Sequence, residues 1–223
     1  MSALIVAVDG PAGSGKSSVS RAAAARLGFA FLDTGAAYRA LTWLALERGV
    51  IRDGVADDDA VLALLPQLDY QIGTDPAADN AVRVGLTDVT AAIREPRVAS
   101  AVSLVARIPG VRDYMVALYR RTIADCHAKG IVVEGRDITT VVAPHAEVRV
   151  LLTASPEVRA ARRAGEHGTD AGVTAVAIAK RDASDLKNVD FMTPAPGVTL
   201  LDTTELNFEQ SVDALVALVP NVR

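Results

Sequence analysis

The chain has 223 residues, of which 50% are hydrophobic and 4% aromatic, and its formal net charge is −4 at pH 7. A chain of this length buries a full hydrophobic core, and we expect a single domain with insertions. The acidic balance argues against a broad nucleic-acid surface, so we expect no nucleic-acid partner and only a local anion site. The one cysteine, Cys126, excludes an intrachain disulfide and has only His127 beside it, which makes no metal-ligand set. We expect Cys126 to be a core residue within a helix.

The start of the chain predicts a soluble cytoplasmic protein. Met1–Ala3 contains no basic residue, and the apolar run Leu4–Val8 is too short for a signal peptide or a membrane span. We therefore expect no membrane partner, and we expect the chain to be a monomer.

Five apolar runs separated by long helical stretches indicate strands of a parallel sheet with crossover helices. These runs are Leu4–Val8, Phe29–Leu32, Ile131–Val133, Val148–Leu152 and Val198–Leu201. The alternation predicts an α/β fold with a parallel five-stranded sheet flanked by helices.

The first apolar run is followed by the pattern G-x-x-x-x-G-K-[ST], which is typical of loops that bind nucleotide phosphates. Its glycines let successive backbone N–H groups face a phosphate, Lys16 can reach the β and γ phosphates, and the Ser17 hydroxyl can bind Mg²⁺. A helix predicted over Ser18–Leu27 adds its N-terminal dipole to the site. We expect ATP and Mg²⁺ to be bound by this loop, namely Gly10, Pro11, Ala12, Gly13, Ser14, Gly15, Lys16, Ser17 and Ser18.

About a hundred residues separate the second and third runs, which is too long for one crossover and predicts an inserted subdomain. Leu68–Ile72 and Ala81–Val84 alternate in polarity around a turn-rich stretch, so we expect a small antiparallel sheet there. Helical periodicity predicts helices over Asp88–Ala106 and Val111–Lys129. We expect the core to comprise residues 1–33, 110–154 and 173–223, and the insert residues 34–109.

A basic helix is predicted after the fourth run. Ser155-Pro156-Glu157 supplies a cap, a first-turn proline and an acid, and Arg159, Arg162 and Arg163 then share one helix face. Such a face is commonly a solvated surface, but near a phosphate loop it also suits a closing lid. Gly165–Gly172 interrupts the helical pattern, so we expect a short lid over residues 155–172.

Three classes of phosphate-loop protein compete: a GTPase, a transport ATPase and a small-molecule kinase. The guanine-reading N-K-x-D pattern is absent, since the nearest string, Lys187-Asn188-Val189-Asp190, has the wrong order. No L-S-G-G-Q-type segment is present either. The small size and the large insert favour a kinase that closes over a second substrate.

Four further strings resemble bacterial cytidylate kinases in order and spacing: Leu32–Arg39, Glu134–Asp137, Arg181–Asp185 and Leu201–Leu206. The resemblance spans about Ile5 to Val212 and includes the enlarged insert. It implies a P-loop kinase that transfers the γ-phosphoryl group of ATP to CMP or dCMP. UMP or another nucleoside monophosphate remains an alternative acceptor, and a non-enzymatic nucleotide-binding switch is a further alternative.

The resemblance also implies residue roles. A monophosphate acceptor is already an anion, so the site needs positive charge rather than a general base. Arg39, Arg136 and Arg181 would bind the acceptor phosphate, and the lid arginines the γ phosphate. Asp137, Arg112 and Ser103 would bind the cytosine, and Asp185 the ribose. The expected catalytic residues are Lys16, Arg136, Arg159 and Arg163; the expected substrate-binding residues are Thr34, Tyr38, Arg39, Arg94, Ser103, Arg112, Arg136, Asp137, Arg181 and Asp185.

Ordinary structural roles compete with several of these assignments. They are a surface ion pair for Arg39 or Arg94, core packing for Tyr38, a helix cap for Asp137, a helix-surface position for Arg112 and Ser103, and an i+4 ion pair with Arg181 for Asp185. The sequence also departs from the family pattern, because Asn188 stands where an arginine is usual, and the neighbouring Lys187 could substitute only as a flexible point charge. The carboxylate that would bind Mg²⁺ is undetermined, with Asp33 as a candidate that could act through water.

Overall fold

The computed structural model describes residues 3–78, 81–167, 170–187 and 189–220, without the side chains of residues 166, 167 and 171. In chain order the strands are β1 (Leu4–Asp9), β2 (Ala30–Asp33), β3 (Ile51–Arg52), β4 (Val55–Ala56), β5 (Tyr70–Ile72), β6 (Val82–Val84), β7 (Thr87–Asp88), β8 (Gly130–Gly135), β9 (Val148–Thr153) and β10 (Thr199–Asp202). The helices are α1 (Lys16–Leu27), α2 (Thr34–Glu47), α3 (Asp58–Leu64), α4 (Pro96–Ala106), α5 (Pro109–Ala124), α6 (Pro156–His167), α7 (Ala171–Asp185) and α8 (Phe208–Ala217). The chain divides into two compact units, Met1–Leu32 with Ile123–Arg223, and Asp33–Thr122.

The first unit is built on a parallel five-stranded sheet with the strand order β10-β9-β1-β8-β2. All five predicted runs are strands, and the predicted α/β fold is confirmed. The strands β1, β2, β8 and β9 are largely buried, and every residue of β8 is, which accounts for their apolar runs. The edge strand β10 is mostly exposed. In the β1–β8 register Val8 lies opposite Glu134 and Asp9 opposite Gly135. The polar residues that end these two strands therefore lie at one edge, the carboxyl edge of the sheet, where ligands bind in open α/β sheets.

One face of this sheet packs against α1 and α8. The shared core contains apolar residues of β1, β8 and β9 together with Val19, Ala23, Ala24, Val212 and Leu215 from the two helices. The helix α8 begins with a capping box in which Asn207 and Gln210 bind each other's backbone N–H groups. This core fixes the start of α1, and with it the end of the phosphate loop.

The second unit contains α2, α3, α4, most of α5 and two small sheets. The predicted antiparallel sheet is present as β5-β6-β7, with Tyr70 paired to Val84 and Val84 to Thr87. It has a third strand that the sequence pattern did not predict. The β3–β4 hairpin was not predicted either, since each of its strands has only two residues.

Both helices predicted in this part of the chain differ from the structure. Thr87 and Asp88 form β7, and α4 begins only at Pro96, because that proline lacks an N–H and suits the first position of a helix. The next helix, α5, ends at Ala124 rather than Lys129, since the chain must turn into β8. The placement of Cys126 in a helix core was therefore wrong: it follows the helix and is half-buried.

The predicted start of the basic helix is confirmed. The Ser155 hydroxyl accepts a hydrogen bond from Val158 N at 3.3 Å, and hydrogen bonds from its own backbone amide and from Ser155 lower the pKa of Glu157. The predicted break over Gly165–Gly172 was too wide, because α6 continues through Gly165 to His167 and α7 begins at Ala171. A single glycine within a helical pattern is tolerated. Residues 168 and 169 of the expected lid lie outside the described residues. Within the described part of the chain, no helix is both long enough and apolar enough to cross a bilayer.

Candidate active site

The phosphate loop joins β1 to α1 in a conformation that requires glycine. Gly13 and Gly15 have φ values of 74° and 87°, in the left-handed region. Gly10 is required by space, since a Cβ there would lie 2.2 Å from the carbonyl oxygen of Leu152 in β9. The loop is thus shaped by its own backbone and held close to the neighbouring strand, and α1 begins directly at Lys16.

The last residues of the loop face a buried carboxylate. Glu134, near the end of β8, is 3% exposed and accepts a hydrogen bond from the Ser17 hydroxyl at 2.8 Å. Its other oxygen lies 3.9 Å from Lys16 Nζ. The predicted phosphate lysine and the predicted Mg²⁺ hydroxyl therefore share one acidic neighbour on the adjacent strand.

Two arginines of α6 bind backbone carbonyl groups of the loop. Arg159 Nη1 donates to Ala12 O at 2.8 Å, and Arg162 Nη1 donates to Ser14 O at 3.0 Å. Arg162 also donates to Thr203 O at 2.7 Å and Leu206 O at 3.2 Å, which ties α6 to the segment after β10. Burial lowers the pKa of Arg162, while the nearby Asp202 acts in the opposite direction. The arginine face of α6 is therefore directed at the loop and is not a solvated surface at these two positions.

Arg136 follows β8 and is held by four groups. Its Nη1 donates to Gly10 O at 2.9 Å, and its Nη2 lies 3.2 Å from Asp182 Oδ1 and 2.9 Å from Asp185 Oδ2. Its guanidinium carbon stands 4.2 Å from the centre of the buried Phe191 ring. The arrangement fixes a cation beside the first glycine of the loop.

The residues after Arg136 are fixed by Asp9, which ends β1 and is 3% exposed. Its carboxylate accepts hydrogen bonds from Ile138 N at 2.7 Å, Thr139 N at 2.9 Å and the Thr139 hydroxyl at 2.6 Å. Burial raises the pKa of Asp9, although these hydrogen bonds and Lys16 act to lower it. The short π-helical turn Ile138–Val142 is thus capped by Asp9, and the Asp137 side chain makes no capping bond to it. The capping alternative for Asp137 is wrong.

In the second unit, Asp33 and Arg39 form a half-buried pair. Arg39 Nη2 lies 2.7 Å from Asp33 Oδ2, and Asp33 Oδ1 accepts a hydrogen bond from Ala36 N at 3.1 Å as the cap of α2. A Cβ at Gly35 would stand 2.9 Å from Arg39 Nη1. The absence of a side chain at Gly35 therefore lets the arginine fold back over the start of its own helix.

An aromatic pair supports the same helix. The rings of Tyr38 and Tyr119 have centroids 6.4 Å apart and are tilted by 55°. The Tyr119 hydroxyl, which is buried, donates to Thr34 O at 2.7 Å. Packing of Tyr38 against another aromatic ring is therefore observed, and its predicted contact with substrate stays a prediction.

Comparison with known proteins gives the family. The profile of the family described as Cytidylate kinase matches residues 6–221. A cytidylate kinase of Streptomyces griseus is 46% identical over 224 residues, which cover 100% of this chain and 95% of the relative. One of Streptomyces avermitilis is 44% identical over 223 residues, covering 99% and 94%, and one of Cutibacterium acnes is 45% identical over 222 residues, covering 98% and 97%. The chain belongs to the cytidylate kinase family. The resemblance seen in the sequence is confirmed.

The site residues expected of a cytidylate kinase fall into both units. Around the loop of the first unit the structure brings together Lys16, Ser17, Arg136, Arg159 and Asp185. Arg181 lies 3.9 Å from Asp185, so the expected i+4 pair exists, but Arg136 is the nearer partner of that carboxylate. In the second unit Thr34, Tyr38 and Arg39 share the first turns of α2.

The remaining expected residues keep their roles as predictions. Arg94 is exposed, and its Nη1 donates to Thr90 O at 2.9 Å. Ser103 and Arg112 lie half-buried on α4 and α5, and Arg163 lies half-buried on α6. Ser18 is exposed on the first turn of α1. Asn188 lies outside the described residues, and the neighbouring Lys187 is exposed.

Sequence reasoning assigned no role to three residues that the structure places at the loop, Asp9, Glu134 and Asp182, and it placed Arg162 only on the arginine face of the lid. Each was visible as a charged residue in or beside a predicted element. Glu134 directly follows the apolar run Ile131–Val133, and a carboxylate at the end of a buried strand is itself a signal of a site. The magnesium candidate Asp33 caps α2 and pairs with Arg39, and its role toward Mg²⁺ through water stays a prediction.

Proposed function

We infer that this chain is an ATP-dependent kinase that transfers the γ-phosphoryl group of ATP to CMP or dCMP, giving ADP and CDP or dCDP. The observation that carries this inference is a glycine-shaped phosphate loop whose lysine and serine face the buried Glu134, in a chain that matches the cytidylate kinase family over residues 6–221. The relatives named above bear the same activity in their names.

The chemistry needs fixed positive charge. The acceptor phosphate of a nucleoside monophosphate is already anionic, so no residue has to generate a nucleophile. In the transfer, negative charge spreads over the equatorial oxygens of the moving phosphoryl group, and preorganised cations stabilise it. We assign Lys16, Arg136, Arg159 and Arg163 to this task. Hydrogen bonds to the loop, to acidic side chains or to both hold Arg136 and Arg159 in place.

Mg²⁺ fits the residues beside the loop. The Ser17 hydroxyl and the Glu134 carboxylate are 2.8 Å apart, and both supply the hard oxygen atoms that Mg²⁺ prefers. Among the described residues, no group of three or more His, Cys, Asp or Glu side chains could hold a metal ion. When bound, Mg²⁺ would supply positive charge that compensates the charge of the phosphates. We therefore propose Ser17 as a direct ligand, with Glu134 as the carboxylate of the site.

We assign the acceptor nucleotide to the residues that the family resemblance implies. Arg39, Arg136 and Arg181 would bind its phosphate, with Thr34, Tyr38 and Arg94 in supporting contacts. Asp137 would accept a hydrogen bond from the exocyclic amine of cytosine, because a carboxylate matches that donor. Arg112 and Ser103 would donate to the remaining base edge, and Asp185 would bind the ribose.

The proposal extends to the organisation of the chain. We propose a core of residues 1–33, 110–154 and 173–223, a monophosphate-binding insert of residues 34–109 and a lid of residues 155–172. We also propose that the protein acts as a cytoplasmic monomer, without a nucleic-acid or membrane partner.

A coupled assay of ADP release tests the function. ATP and Mg²⁺ are supplied with CMP, dCMP, UMP, AMP or GMP, or with no acceptor, and the rate of ADP formation is recorded for each. We expect rapid ADP release with CMP and dCMP and the background rate without an acceptor. Preference for UMP would support a different pyrimidine kinase. Tight ATP binding without acceptor-dependent ADP release would support a nucleotide-binding switch instead.

A further inference from the structure

Asp182 is a buried carboxylate to which the phosphate loop and two arginines are all bound. It lies in the last turn of α7 and is 5% exposed. Its Oδ1 accepts hydrogen bonds from Ala12 N at 3.1 Å and from Arg136 Nη2 at 3.2 Å, and its Oδ2 accepts one from Arg159 Nη1 at 2.6 Å. A single acid therefore joins the loop after β1, the end of β8, α6 and α7.

The contact with the loop has two sides. Asp182 accepts from the N–H of Ala12, and Arg159, which is paired with Asp182, donates to the carbonyl oxygen of the same residue at 2.8 Å. The next residue, Gly13, lies so close that a Cβ there would stand 2.6 Å from the carbonyl oxygen of Arg159. The N–H and the carbonyl oxygen of Ala12 are thus both bound, the first to a side chain of α7 and the second to a side chain of α6. The Ala12 N–H is directed at the Asp182 carboxylate.

The charges of this cluster depend on one another. Arg159 is 6% exposed, so its guanidinium is stable there only because the Asp182 carboxylate compensates it. Arg136 shares Asp182 with Arg159 and has Asp185 as a second anion at 2.9 Å. Removal of the Asp182 charge therefore affects Arg159 most, since Arg136 keeps another acidic partner.

We propose that Asp182 is a positioning residue of the phosphoryl-transfer reaction. Through Arg159 and the Ala12 amide it holds the start of the phosphate loop and the arginine of α6 in one arrangement. Preorganised charges stabilise a transition state only when their positions are fixed, so the effect of Asp182 belongs mainly to the transfer step. The inference rests on the proposed kinase function.

The test is Asp182→Asn, which keeps the size of the side chain and one acceptor oxygen but removes its charge. We expect kcat to fall by about tenfold or more, while KM for ATP and for CMP changes by less than about threefold. Asp213→Asn is the matched control, because Asp213 is an exposed acid of α8 that pairs with Arg26 at the surface. This control should have the kcat of the parent.

A double-mutant cycle with Arg159→Ala distinguishes positioning from general destabilisation. If Asp182 acts through Arg159, Asp182→Asn should lower kcat far less in the Arg159→Ala background than in the parent. If Asp182 acts without Arg159, the two effects on kcat multiply independently. Asp182→Glu keeps the carboxylate and should retain more of kcat than Asp182→Asn; where Asp182→Asn does not fold, Asp182→Glu replaces it in the cycle.

Three results would overturn the inference: an unchanged kcat in Asp182→Asn, an effect on KM alone, or independent effects in the cycle. A parent protein without CMP-dependent ADP release would instead refute the proposed function, and this role with it. The two failures are therefore distinguishable in one set of assays.

Discussion

Replacement of Asp9 should unfold the turn that presents Arg136 and Asp137. The Asp9 carboxylate accepts three hydrogen bonds in a fully buried position, two of them from backbone N–H groups of Ile138 and Thr139. In Asp9→Ala these two amides lose the acceptor that the structure gives them. An unsatisfied buried donor costs about 1–3 kcal/mol, so two of them cost roughly 2–6 kcal/mol.

The expected loss lies in the lower half of that range. Burial raises the pKa of Asp9, which means that the fold pays to keep the carboxylate charged, and Asp9→Ala removes this cost together with the hydrogen bonds. We therefore expect a decrease of about 2–4 kcal/mol in the free energy of unfolding. This is a large part of the stability of an ordinary domain, about 5–15 kcal/mol.

Urea unfolding followed by circular dichroism measures the loss. Asp88→Ala is the matched control, since the Asp88 carboxylate also accepts a hydrogen bond from a backbone N–H, that of Thr90, but is exposed to solvent. We expect this control to lose much less stability than Asp9→Ala, because water replaces the carboxylate. An Asp9→Ala variant that loses no more than Asp88→Ala would refute the reasoning.

The raised pKa of Asp9 gives the sign of a pH effect. The Asp9 carboxyl is protonated more readily in the folded than in the unfolded state. The stabilisation that comes from this protonation is fully present below the ordinary pKa of 3.8 and is lost as the pH rises through the folded-state pKa. Asp9→Asn removes this titration. The difference in unfolding free energy, parent minus variant, should therefore fall as the pH rises above 3.8. A difference that is constant or rises would contradict the assignment.

Three further predictions concern single side chains. Lys16→Ala should leave the thermal midpoint near that of the parent but remove most phosphoryl transfer, since the β and γ phosphates lose a fixed cation; normal turnover in the folded variant would refute this role. Asp137→Ala should reduce kcat/KM for CMP more than for UMP, by about ten- to a hundredfold, because only cytosine offers the amine donor; an unchanged CMP/UMP ratio would exclude base reading by Asp137. Burial, with a contribution from Asp33, raises the pKa of Tyr70, so Tyr70 should not ionise near pH 10, where an ordinary phenol does. In alkaline titration, Tyr70→Phe should therefore show the same absorbance increase near pH 10 as the parent. An increase smaller by the contribution of one tyrosine would show that Tyr70 ionises normally.

The core fold could be predicted because its signals are local. The strands that are buried on both faces read as apolar runs, and the phosphate loop is a contiguous pattern between a strand and a helix. The elements that were misplaced depend on pairing. Thr87 is a strand residue only because Val84 lies opposite it, and a helical periodicity in the same stretch could not reveal that ladder.

The site could be predicted only in part, because its supporting residues act across long separations. Asp182 is bound to Ala12, 170 positions away along the chain, and Arg162 is bound to Ser14, 148 positions away. No spacing rule connects such residues. The string Glu134–Asp137 identified Arg136, and the basic helix face identified Arg159. The contacts of Asp182 with both arginines could not be predicted, because they join the end of β8, α6 and α7.

Transfer of the γ phosphate itself tests the central claim most directly. ATP labelled in its γ phosphate is incubated with the protein, Mg²⁺ and CMP, and the nucleotides are separated at successive times, with Lys16→Ala as the control. We expect the label to appear in CDP in a one-to-one ratio with the ADP formed, and to remain in ATP in the control. Label released as inorganic phosphate, or transfer that does not depend on CMP, would contradict the account.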